Sequence, residues 1–316
     1  MRFGSVCSGI EAASVAWESL GFTPVFHSEI DPAPSKVLAH HYPNVPNLGD
    51  FTTIGSEHKL DILIGGTPCQ SFSVSGNRLG LDDDRGNLAL QFCRLAGRLL
   101  PRWVIWENVA GALSTDRGRA FGSIVGALAD LGYGWAYRVL DAGFFGSPHR
   151  RRRVFLVGHL GDWRGAGAVL FDGQGCFRNP PKSGAERYSS CYAPEERARI
   201  FVEGKEGLPY LTASNAAKGI NNQTPIIFHT KQDPISLTGH SISQNASMQG
   251  PGVLKDGVLR RFTPLEVERL FGFPDNWTAP IGADSPRYKA LGNSMDVNVI
   301  RWLGKRIQDV TNCQAH

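Results

Sequence analysis

Short apolar runs that close on glycine or a polar turn alternate with amphipathic, helix-length stretches through the first half of the chain. This alternation restricts the fold more than any other feature. The runs Phe3–Cys7, Val25–Glu29, Asp61–Ile64, Trp103–Glu107, Ala136–Leu140 and Val154–Val157 read as strands. Between them Glu11–Leu20, Pro34–His41, Asn87–Leu100 and Phe121–Leu131 carry helical patterning. Strands alternating with helices imply βαβ units, a mainly parallel sheet and helices on both faces, hence a doubly wound α/β domain. Ligands of such a domain sit beyond the carboxyl ends of the strands.

The 316 residues suggest two domains, or one large domain with an insertion. With 41% hydrophobic and 20% charged residues the chain has ample material for a core, which excludes a disordered chain, a coiled coil and a disulfide miniprotein. No apolar run approaches the ~20 residues of a membrane span, and MRFGSVCSGIEAAS lacks the layout of a signal peptide, so a soluble, cytoplasmic protein is expected. Cys7, Cys69, Cys93, Cys176, Cys191 and Cys313 form no CxxC pair, which argues against a disulfide framework or a structural zinc site. A net charge of +4 is compatible with a polyanionic partner without requiring one.

From about Leu160 the texture changes to Gly, Ser, Asn, Pro and Gln without the α/β alternation, as in a separate loop-rich domain with short strands in TPIIFHT and PISLTGHSIS. Helical patterning resumes at Thr263–Phe271, where Thr263 can cap and Pro264 can open the helix. A last helix, Val297–Ile307, follows RYKALGNSM, which reads as a loop. The expected division is 1–158, 159–256 and 257–316.

Several residues at expected strand ends can carry chemistry. The first strand feeds SVCSGIEAAS, where Ser8 and Gly9 let backbone approach a ligand at a helix N-terminus. The next strand ends in Glu29, well placed for ribose hydroxyls, although a capped loop beside a solvated glutamate fits the same pattern. Asp50 and Phe51 set a carboxylate beside an aromatic face, which suits an adenine or an ordinary turn. In GGTPCQSFS, Cys69 is presented on a tight turn and needs activation before its thiol is a strong nucleophile. The polar loop that follows can close over a substrate. Glu107 rises from the apolar strand WVIWENV, where a carboxyl can serve as a general acid. In HRRRRVFLVG, alternation along extended chain points Arg151 and Arg153 one way and Arg150 and Arg152 the other.

Taken together, SVCSGIEAAS, SEID, GDF, GGTPCQSFS, DRGNL, ENV, HRRRRVFLVG, RRFTPLEVERLFGFPDNW and YKALGNSM resemble, in order, the C5-cytosine DNA methyltransferase family. The resemblance spans nearly all of 1–158 and 257–316. It leaves 159–256 unmatched, where the family carries its variable target-recognition domain. It implies that Ser8, Gly9 and Ile10 form the S-adenosylmethionine loop, that Glu29 binds ribose, and that Ile30, Asp50 and Phe51 enclose the adenine. Pro68, Leu88, Asn293 and Ser294 complete that pocket, so the C-terminal helix should pack back onto the first domain. Cys69 is implied as the nucleophile and Glu107 as the group that protonates cytosine at N3. Arg151 and Arg153 match the arginines of the family's Gln-x-Arg-x-Arg pattern. Ser71–Arg85 is implied as the closing loop.

The partner so implied is double-stranded DNA with the target base flipped out. No metal, no membrane and no obligate protein partner is expected, and the chain is expected to be monomeric. Alternatives are a transfer-RNA cytosine methyltransferase, a catalytically silent DNA-binding module and, remotely, a thiol hydrolase using Cys69 and His149. The chain also departs from the pattern it resembles. Cys7-x-Gly9-x-Glu11 replaces Phe-x-Gly-x-Gly, His149 stands at the Gln position, and Asp296 and Asn298 replace apolar or proline residues after Gly-Asn-Ser.

Overall fold

The computed structural model describes residues 1–68, 88–171, 226–228, 252–255 and 258–314. Its principal sheet has six strands: β1 (Arg2–Val6), β2 (Thr23–Ser28), β3 (Ile62–Gly65), β4 (Trp103–Val109), β5 (Tyr133–Asp141) and β6 (Arg152–Leu160), in the order β2-β1-β3-β4-β6-β5. Strands β2, β1, β3 and β4 pair in parallel. Strand β6 then runs antiparallel to β4, with Val109 opposite Arg153. The sheet is therefore mixed at one side rather than parallel throughout. Strand β3 is buried at every position and β4 at all but its last. Both lack polar alternation because each face is covered.

The helices α1 (Ala12–Trp17), α2 (Pro32–His41), α3 (Leu88–Leu99), α4 (Arg119–Asp130) and α5 (Trp163–Phe171) interleave with or follow these strands. One core cluster joins Val6, Phe26, Phe92, Trp106, Phe121 and Leu156 from strands and helices alike. Asp31 caps α2, its carboxylate accepting the Ala33 N–H, and Pro32 opens the helix.

The chain divides into two compact units, the first made of Met1–Leu140, Arg152–Gly173 and Ile300–His316, the second of Asp141–Arg151 and Gln174–Val299. Strand β6 and helix α5 carry the α/β texture on to Phe171, past the compositional change at Leu160.

In the second unit β7 (Ile226–Phe228), β8 (Gly252–Lys255) and β9 (Val258–Arg261) form a small antiparallel sheet. Strand β7 lies in TPIIFHT, while PISLTGHSIS is outside the described residues. Helix α6 (Pro264–Phe271) opens with a capping box in which Thr263 and Glu266 satisfy each other's backbone N–H groups.

The segment expected as a loop, RYKALGNSM, is instead largely helix α7 (Asp284–Asn293). Gly292 suggests a break, but Ala290 and Leu291 are buried, and the Tyr288 hydroxyl donates to the Phe262 carbonyl. Tertiary burial outweighs the glycine's modest helical cost.

The last helix, α8 (Val297–Gln314), is longer than the expected Val297–Ile307. From Ile300 onward it belongs to the first unit, where Trp17 Nε1 donates to the Ile300 carbonyl at 2.8 Å and Trp103 Nε1 to Thr311 Oγ1 at 3.2 Å. A Cβ on Gly304 would stand 2.3 Å from Trp17 Nε1, so glycine is what lets α8 lie this close to α1. Among the described residues no helix is long and apolar enough to cross a membrane.

Candidate active site

The parallel strands β1 to β4 end on one edge of the sheet, and their last residues lead into most of the residues singled out in the first unit. After β1 the backbone turns sharply. Cys7, Gly9 and Glu11 all adopt left-handed conformations, with φ of 48°, 57° and 65°. Gly9 does so freely, whereas each of the other two costs on the order of 1–2 kcal/mol. Contacts across to β2 hold the turn: Ser8 N donates to the Ser28 carbonyl at 3.1 Å, and Ser28 N to Ser8 Oγ at 3.0 Å. Among the described residues, its chain neighbours aside, no atom lies within 4 Å of a Cβ built on Gly9, so space adjoins its backbone.

Glu29 spans this turn and the start of α2, accepting the Gly9 N–H at 2.8 Å and the Asp31 N–H at 2.7 Å, one on each carboxylate oxygen. A carboxylate has about four lone-pair sites, so both oxygens can accept more. Asn47, which sequence reasoning missed, fixes the Glu29 backbone on both sides, accepting its N–H at 2.9 Å and donating to its carbonyl at 3.0 Å. An asparagine in a polar loop leaves no signal of this in sequence.

Ile30 is 76% exposed, an apolar side chain without cover. Asp50 caps the short turn Phe51–Thr53, while the Phe51 ring is buried in the core cluster. Ile10 is wholly buried behind the turn, and Leu88, the first residue of α3, is half-buried against the core. The Cys7 thiol is pushed up to about 12, chiefly by burial and then by the charges of Glu29 and Asp50. The mouth of this turn is thus acidic.

Strand β3 delivers Thr67 and the exposed Pro68. The Thr67 hydroxyl accepts Trp106 Nε1 at 2.9 Å, and its carbonyl accepts Asn108 Nδ2 at 2.9 Å. Two residues of β4 therefore hold the chain just before position 69. Cys69 and the loop Ser71–Arg85 lie outside the described residues.

Between Trp106 and Asn108, Glu107 is 8% exposed, with Arg153 Nε 3.2 Å from its Oε1. The antiparallel course of β6 brings this about: it starts beside the end of β4, so Arg153 arrives next to a carboxylate far from it in sequence.

The second unit holds the remaining expected residues. Arg151 is buried, donates through Nη2 to the Ser294 carbonyl at 2.6 Å and lies over the Phe271 ring at 5.3 Å. Asp141, also missed in the sequence, accepts the Arg151 backbone N–H at 3.2 Å. Asn293 is exposed at the end of α7, and Ser294, buried, follows it. Arg152 is exposed and Arg150 half-buried.

The profile of the C-5 cytosine-specific DNA methylase family matches residues 1–309. The chain belongs to this family. Among relatives of this cytosine methylase chain, a protein of Escherichia phage P1 named a DNA N-6-adenine-methyltransferase is 30% identical over 96% of the chain. The chain spans 61% of that protein's length. The type II methyltransferase M.HhaI of Haemophilus parahaemolyticus is 26% identical over all of this chain and 97% of its own. The crystal structure of S. pombe Dnmt2 methyltransferase superposes with a TM-score of 0.62, covering 99% of each chain at 20% identity, a likeness of fold.

The methyl donor of the family, S-adenosylmethionine, fits what the first unit presents. Open backbone at Gly9, a ribose-competent carboxylate at Glu29 and the uncovered Ile30 side chain match the needs of an adenosyl group.

Proposed function

We propose that this cytosine methylase chain methylates C5 of cytosine in duplex DNA, using Cys69 as nucleophile and S-adenosylmethionine as donor. The observation that carries the reading is the shared sheet edge. The Glu29-braced turn after β1, the Thr67–Pro68 segment leading to Cys69, and the Glu107–Arg153 pair all stand at the carboxyl ends of neighbouring strands. Ser8, Gly9, Ile10, Glu29, Ile30, Asp50, Phe51, Pro68, Leu88, Asn293 and Ser294 are the residues we assign to holding the donor. When bound, the donor supplies an electrophilic methyl group.

Cytosine C5 is a poor nucleophile until C6 is attacked. Addition of the Cys69 thiolate forms the S–C6 bond and moves the ring electrons toward C5, while Glu107 gives a proton to N3 so that no anion accumulates on the ring. Arg153, beside Glu107, limits where that carboxyl can point. After C5 is methylated, its proton passes to water, the electron pair forms the C5–C6 double bond, the S–C6 bond breaks and the thiolate leaves, and N3 returns its proton to Glu107. General acid help of this kind is worth roughly 10²–10⁴ in rate. The ring is inaccessible inside a duplex, so the base must be extruded.

Labelled donor with duplex DNA or transfer RNA, followed by nucleoside analysis, tests this reading. We expect 5-methylcytosine in the DNA. N6-methyladenine, the product named for the phage P1 relative, or label confined to transfer RNA would overturn it. Cys69→Ala is expected to abolish transfer while leaving DNA binding intact, and undiminished turnover in that variant would refute the role of the thiol.

A further inference from the structure

His149 and Asp296, two positions at which this chain departs from the pattern it resembles, meet inside the second unit. Their side chains are 1% and 2% exposed, with His149 Nε2 3.1 Å from Asp296 Oδ2, off the line of the ring N–H. Ser147 Oγ donates to the same oxygen at 2.7 Å. Asp296 Oδ1 accepts the Asn298 and Val299 backbone N–H groups at 3.0 and 3.1 Å and so caps α8. Asn298 Nδ2 donates to Ser147 Oγ at 3.0 Å, closing a ring of contacts. The His149 ring stacks on Phe271 at 4.7 Å, and Arg151, two residues on, covers the same phenyl ring while donating to Ser294. One carboxylate and one aromatic ring thus join the segment 147–151 to the turn 294–299.

A buried carboxylate costs several kcal/mol in desolvation unless it is paired, and apolar residues of equal volume often serve stability as well or better. What Asp296 adds is geometry, because its two oxygens accept two backbone N–H groups and the Ser147 hydroxyl while one of them lies 3.1 Å from His149 Nε2. We infer that Asp296, matched with His149, is a positioning residue that sets Arg151 against the Ser294 carbonyl and thereby tunes affinity for the methyl donor. The inference rests on the function proposed above, which places Ser294 at the donor.

The test compares full-length wild type with Asp296→Ala, His149→Gln, His149→Gln/Asp296→Ala and His149→Gln/Asp296→Asn. Calorimetric titration with S-adenosylhomocysteine is run beside turnover on duplex DNA and a thermal melt. Asp296→Ala should weaken binding and raise the donor KM about tenfold with kcat within about threefold of wild type. Adding His149→Gln to Asp296→Ala should cost less than about a further twofold, since the partner is already gone. His149→Gln/Asp296→Asn should return to within about threefold of wild type, because two facing amides can pair. Single effects that multiply in the double variant, or a lowered melting temperature with unchanged donor affinity, would overturn the inference. A wild type that binds donor yet methylates no cytosine would overturn the proposed function, and the binding ratios would still judge the pair.

Discussion

Asn108 offers the sharpest test of how β4 shapes the site. It is 3% exposed, its Nδ2 donates to the Thr67 carbonyl and its Oδ1 accepts the Val109 N–H, each at 2.9 Å. Asn108→Ala removes both bonds. Thr67 is buried, so its carbonyl carries most of the ~1–3 kcal/mol cost of an unsatisfied buried group, whereas the half-buried Val109 N–H can turn to water. We expect about 2 kcal/mol lost in urea unfolding. Asn108→Asp discriminates further, because it keeps the acceptor for Val109 but sets a carboxylate oxygen against the Thr67 carbonyl, a buried acceptor facing an acceptor. It should destabilise at least as much as alanine, although its shape is conserved. Thr67 stands two residues before Cys69, so both variants should also lower kcat, on the order of ten- to a hundredfold for a displacement near 1 Å. An aspartate variant as stable as wild type, or full turnover in either variant, would refute the reasoning.

The seat of α8 makes a second prediction. Trp17→Phe loses the bond to the Ile300 carbonyl and should cost about 1–3 kcal/mol by chemical denaturation. Gly304→Ala, whose new methyl would overlap the indole, should be destabilising in wild type and less so in the Trp17→Phe background; equal costs in both would contradict the packing. Cys7 makes a third. Its thiol is pushed up to about 12 by burial and by the charges of Glu29 and Asp50, so at pH 8 iodoacetamide should modify exposed Cys313 well before half-buried Cys7, read by peptide mass spectrometry. Unfolding releases that proton near the ordinary thiol range, so the unfolded chain binds fewer protons above about pH 9 and stability should fall as pH rises from there. Alkylation of native Cys7 at the rate of Cys313 would contradict the raised thiol.

The fold class and one edge of the site were legible because they rest on local signals. Apolar runs of strand length show in the residues themselves, and so do strand ends carrying Gly9, Glu29, Pro68 and Glu107. The helical state of 287–293 was not legible, because Gly292 is a local breaker and the burial of Ala290 and Leu291 that overrides it comes from elsewhere in the chain. Asn47 and Asp141 were missed for the same reason: their partners are main-chain groups that any residue type supplies.

By itself the sequence determined the alternation of strands and helices, the order of the motifs and the chemistry available at each strand end. Each of these depends on residue identity and spacing along a few turns of chain. Only the tertiary structure decided which charges became partners. The antiparallel entry of β6 set Arg153 against Glu107 while Arg151 went to the Ser294 carbonyl, and the two departures His149 and Asp296 met in one buried cluster. A charge is inexpensive in water wherever it sits in a sequence. Its partner is dictated only when folding removes the water, and which groups are then within reach depends on how distant segments cross.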